Sequence, residues 1–102
     1  MHPLVQSRHA QVIELCRRLG IARLDLVGSA ARDDFDEARS DIDFLVDLGS
    51  DPQRNPLDVH FPLKDALQTL FDRPVDLVSS GAVRNPYVKA SLERDRQTVF
   101  SA

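Results

Sequence analysis

The chain has 102 residues, is 42% apolar and 28% charged, and carries a net charge of −3, so residues 1–102 are expected to form a single small domain around one modest core. The acidic balance argues against direct binding of long nucleic acid, which needs a basic surface. No apolar run approaches the roughly 20 residues that span a bilayer. The start, Met1-His2-Pro3-Leu4, lacks the basic and apolar regions of a signal peptide, and the single cysteine, Cys16, fits a reducing compartment, so a cytoplasmic location is expected.

In chain order, Leu4 to Leu19 places Val5, Val12, Ile13, Cys16 and Leu19 at helical spacing, and Gly20 supplies a left-handed stop. Ala22 to Val27 reads as a strand running straight into Gly28-Ser29. Ala30-Ala31-Arg32 begins a short helical turn, and Asp33 to Ser40 is polar and turn-like. Asp41 to Leu48 is a second strand, and Gly49 to Pro56 a surface loop. Between Leu57 and Phe71 the second half is expected to be helical, with Pro62 in its first turn and a stripe of Leu63, Ala66, Leu67, Leu70 and Phe71. Arg73 to Val78 is a third strand. Asn85-Pro86 opens a helix to about Arg94, and Gln97 to Phe100 is a short strand or a docked tail. The order predicts an α/β (α+β) fold, a small mixed sheet backed by helices. The basic residues Arg17, Arg18 and Arg23, and later Arg84, Lys89, Arg94 and Arg96, read as solvated helix faces.

Asp41 and Asp43 carry the chemical signal. Side chains at i and i+2 on a strand share a face, so these carboxylates point the same way, about 7 Å apart by strand rise. Ile42, Phe44 and Val46 then anchor the strand in the core. Parallel carboxylates repel unless a cation lies between or in front of them, and Mg²⁺ is usually held by one or two carboxylates with phosphate oxygens and water. Asp-x-Asp alone supports no more than a decorated sheet surface. Gly28, at a strand exit before a helical turn, lets backbone approach a phosphate, and the Ser29 hydroxyl can bind triphosphate oxygens or cap the turn. Arg32 either meets a phosphate or pairs with Asp33 or Asp36. His2, His9 and His60 have no metal-site spacing, and Cys16 lies on an apolar stripe as a core residue.

Together, Val27-Gly28-Ser29-Ala30-Ala31-Arg32 and Ser40-Asp41-Ile42-Asp43 resemble the nucleotidyltransferase superfamily of the DNA polymerase β type, whose signature is Gly-Ser, a spacer and Asp-x-Asp. Within it the chain is most similar to the minimal nucleotidyltransferase (MNT) family of prokaryotes. The resemblance implies the nucleotidyltransferase fold and a third carboxylate on the neighbouring strand. Asp76 matches that place, with Asp47, Asp58 and Asp72 as rivals. In that family the third carboxylate completes the metal site and takes the proton of the attacking hydroxyl. Catalytic and metal-binding roles thus fall on Asp41, Asp43 and Asp76, and nucleotide binding on Gly28, Ser29 and Arg32. Two departures stand out: the spacer from Ser29 to Asp41 is one residue longer than is commonest, and Asp33 stands where glycine is usual. The added loop length is cheap, whereas a carboxylate near a triphosphate adds repulsion.

The resemblance also implies Mg²⁺-dependent transfer of AMP from ATP to a hydroxyl, in such proteins often a tyrosine of a HEPN-type ribonuclease toxin. The chain would then act as the antitoxin of a hetero-oligomeric pair. Two other expectations compete: a non-catalytic antitoxin that neutralises by docking, and a dimeric small-molecule nucleotidyltransferase.

Overall fold

The computed structural model describes residues 3–28, 41–49, 53–79 and 96–102. Two helices lead, α1 (Pro3–Gln6) and α2 (His9–Leu19), followed by β1 (Arg23–Val27), β2 (Ile42–Asp47), α3 (Leu57–Phe71), β3 (Val75–Ser79) and β4 (Gln97–Ser101). The four strands form one sheet in the order β3-β2-β1-β4. The β1 strand pairs antiparallel with β2 and β4, while β2 and β3 pair parallel across α3, making the expected mixed sheet. The segment 97–101 is therefore an edge strand rather than a docked tail. The helix expected from Asn85, the turn at 30–32 and the polar stretch 33–40 lie outside the described residues.

Alternation along each strand assigns its two faces. Leu24 and Leu26 of β1, Ile42, Phe44 and Val46 of β2, and Val75 and Leu77 of β3 are buried in one cluster with Val12, Leu15 and Cys16 of α2 and Val59, Leu63, Leu67 and Phe71 of α3. The Phe44 and Phe71 rings meet at 6.1 Å between centroids, tying α3 to the sheet centre. Desolvation pushes the buried Cys16 thiol up to about 12, as suits a core residue.

The helix ends explain two differences from the sequence reading. One continuous helix was expected over 4–19, but the chain turns at Ser7-Arg8, where the Ser7 Oγ donates to the Leu4 carbonyl at 2.9 Å. That side-chain bond competes with the helical ladder. Gly20 does close α2, at φ 68°; its N–H donates to the Arg17 carbonyl and that of Ile21 to Cys16, while Arg54 donates to the Gly20 and Leu19 carbonyls. The α3 helix starts a turn and a half earlier than expected, and Pro62 lies inside it. The start signal is Asn55-Pro56: the Asn55 Oδ1 accepts from the Leu57 N–H at 3.0 Å, and the Asn55 carbonyl from Asp58. An internal proline forfeits one ladder bond, which the stripe Val59, Leu63, Leu67, Phe71 offsets by burial.

Candidate active site

The face of the sheet opposite α2 and α3 carries the polar chemistry. Its residues are the alternate set: Arg23, Asp25 and Val27 on β1, Asp43, Leu45 and Asp47 on β2, and Asp76 and Val78 on β3. Asp43 and Asp76 occupy the same register position in the parallel pair, so their side chains leave the same face on neighbouring strands, which are spaced about 4.8 Å apart. Asp41 immediately precedes β2, outside the strand, and is exposed. The Ile42 N–H donates to the Pro74 carbonyl at 3.4 Å, which joins the two strands at this end.

Gly28 closes the other side. It follows β1 directly, where Val27 pairs with Asp43, and its φ is +71°. A Cβ built on Gly28 would lie 3.2 Å from both the Cβ and the Cγ of Asp43, and closer still to Oδ2. The glycine is thus required twice, by its left-handed backbone and by the carboxylate pressed against it. Gly28, Asp43 and Asp76 form one contiguous patch. Ser29 and Arg32 lie outside the described residues.

Asp76 sits between Val75 and Leu77, which are buried; alternation turns Asp76 itself outward, and it is exposed. The three rivals stand elsewhere. Asp47 is at the far end of β2, where it accepts from the Gly49 N–H at 2.9 Å; Asp58 is in the first turn of α3, and Asp72 forms its left-handed C-cap.

Sequence reasoning missed Asp25. It is 2% exposed, the buried charged residue of this face among the described residues, and two arginines hold it. The Nε of Arg23 donates to Oδ1 at 3.0 Å and the Nε of Arg96 to Oδ2 at 2.7 Å. Arg23 and Arg96 therefore do not decorate helix faces: one lies on β1, the other just before β4. The available signal was Leu24-Asp25-Leu26, a carboxylate between core residues, which is costly to bury unless paired. The partner 71 positions away in sequence left no local mark.

Among the described residues, which include Asp41, Asp43 and Asp76, no three His, Cys, Asp or Glu side chains come together as a group that could hold a metal ion. Mg²⁺ needs only one or two carboxylates when phosphate oxygens and water complete the octahedron, and Asp43 and Asp76, in register on neighbouring strands, fit that requirement.

A mixed four-stranded sheet with the described helices on one face, a glycine exit from β1 and carboxylates on β2 and β3 defines a nucleotidyltransferase-type protein. Residues 10–99 match the nucleotidyltransferase domain family, and the chain belongs to it. Its relatives include the Methanocaldococcus jannaschii protein MJ0128, assigned as a protein adenylyltransferase, 35% identical over 89% of this chain and 87% of the relative. A solved structure of a protein assigned as a minimal nucleotidyltransferase superposes with a TM-score of 0.76 at 34% identity, covering 95% of each chain. The fold also recurs, at 18% identity and a TM-score of 0.67, in a structure of a tri-AMPylated Shewanella oneidensis HEPN toxin in complex with its MNT antitoxin. That match covers 95% of this chain and 72% of the other.

Proposed function

We propose that this protein transfers AMP from ATP to a hydroxyl, specifically a tyrosine, of a HEPN-type toxin partner, and so acts as the antitoxin of a toxin–antitoxin pair. The observation that carries this reading is Gly28 pressed against Asp43 with Asp76 in register beside it, in a chain that belongs to the nucleotidyltransferase domain family. Relatives assigned as protein adenylyltransferases support a protein acceptor. The described helices offer no membrane-spanning segment.

In this reading Asp41, Asp43 and Asp76 hold Mg²⁺, which when bound neutralises phosphate charge and favours pyrophosphate as leaving group. Gly28 admits the triphosphate close to the backbone, with Ser29 and Arg32 on its oxygens. The acceptor hydroxyl oxygen attacks the α-phosphorus in line, the bond to the β-phosphate oxygen breaks, and pyrophosphate departs. Asp76, exposed on the same face as Asp43, takes the hydroxyl proton. In this reading the partner presents its own hydroxyl beside Asp43 and Asp76.

The test is rescue of cells from the toxin by the parent protein and by an Asp41→Asn/Asp43→Asn double variant at matched protein levels, with a pull-down to verify complex formation. Amide oxygens are poor Mg²⁺ ligands, so the variant should bind the toxin, transfer no AMP and protect poorly. Full protection without AMP transfer would assign the antitoxin role to docking alone.

A further inference from the structure

We propose that Arg96 is a further nucleotide-binding residue, positioned by Asp25 so that its guanidinium meets the triphosphate tail beyond the α-phosphate. This rests on the nucleotide site proposed above. Three observations point to it.

The first is location. Gln97 pairs with Leu26, so Arg96 lies one step further along the ladder, at the Val27–Gly28 end of β1. Its bond to Asp25 puts the side chain on the face that carries Asp43. Arg23, the other partner of Asp25, sits at the opposite end of β1, opposite Ser101 and Asp47, and spends a second donor on the Thr98 hydroxyl at 2.8 Å.

The second is donor capacity. Among the described residues, Arg96 is engaged through Nε, at 2.7 Å from Asp25 Oδ2. A guanidinium so held keeps its terminal amino groups for another planar or tetrahedral oxyanion, which a lysine in the same place would not offer in fixed geometry.

The third is charge. Asp41, Asp43 and Asp76 alone make a repellent face for a polyanionic nucleotide. One carboxylate, Asp25, set against two guanidiniums leaves one net positive charge beside them. For stability alone, an apolar residue would serve at a site as buried as that of Asp25. A carboxylate there is instead suited to aiming an arginine.

The experiment is calorimetric titration of the full chain with ATP and, separately, AMP, in Mg²⁺, alongside thermal unfolding. Asp25→Asn/Arg96→Gln removes both charges together and leaves no buried carboxylate unpaired. It should keep the parent's melting midpoint and AMP affinity while binding ATP about tenfold more weakly, the scale of a lost charge-assisted hydrogen bond. Arg96→Lys, which keeps a cation on Asp25, should lose part of that affinity. Arg23→Gln, which removes the net positive charge but no donor at the Gly28 end of β1, should weaken ATP binding less than the double variant does. Equal ATP affinity in parent and double variant overturns the proposal, as does equal weakening of ATP and AMP, which marks a packing effect. A parent that binds no Mg–ATP overturns the underlying site instead, and is distinguishable because it fails before any variant is compared.

Discussion

The two faces of the sheet are built from interleaved residues of the same strands, yet they answer to different physics. Toward α2 and α3, β2 presents Ile42, Phe44 and Val46, all fully buried and held by packing. Toward the other side the same strand presents Asp43, Leu45 and Asp47, beside Asp25, Val27 and Asp76 of its neighbours. Val27, Leu45 and Asp25 on this face are buried too, so the switch from packing to chemistry is sharpest at Asp43 and Asp76. Substitutions there and at Phe44 should therefore separate.

The largest effect is expected on the apolar side. Phe44→Ala removes the ring that packs at 6.1 Å on Phe71 and should cost about 3–5 kcal/mol, a large share of a small domain's stability. Denaturant unfolding measures it, and a cost below 1 kcal/mol would show that this face does not carry the fold. One residue away, Asp41→Asn/Asp43→Asn should do the reverse. AMP transfer should fall roughly a thousandfold, the worth of several kcal/mol of metal-borne charge stabilisation, with no loss of melting temperature. A destabilised double variant would blur the division between the faces.

Gly28→Ala probes the seam. A non-glycine residue at φ +71° costs about 1–2 kcal/mol, and its Cβ must displace the Asp43 carboxylate. Stability and AMP transfer should fall together. The smallest effect concerns Cys16. Its thiol is raised from 9.0 to about 12, so the folded state binds more protons than the unfolded between those values, and stability should be unaffected below pH 9 and decline above it. Cys16→Ser should abolish that part of the alkaline slope.

What the sequence disclosed follows the range of the forces involved. Strand alternation is local, so β2 and its two faces were readable, as was the Gly20 cap. The early start of α3 was signalled by Asn55-Pro56, but Pro62 drew the boundary because an internal proline is normally excluded. A burial argument applies to Asp25 and not to Asp76, although both sit between apolar residues. Only the strand's position in the sheet decides which of them is covered: β3 is an edge strand, and β1 lies between β2 and β4. The pairing of Asp25 with Arg96 depends on β4 docking beside β1, which no local pattern announces.

The central claim is that nucleotide and divalent cation meet on the carboxylate face. Its most direct test is NMR of the isotope-labelled protein with ATP and a trace of Mn²⁺, whose paramagnetism broadens nearby amide signals. The amides of Gly28, Asp43 and Asp76 should broaden first and those of Leu63 and Leu67, beneath the other face, last. Broadening centred on the α2–α3 side, or no dependence on ATP, would contradict the account.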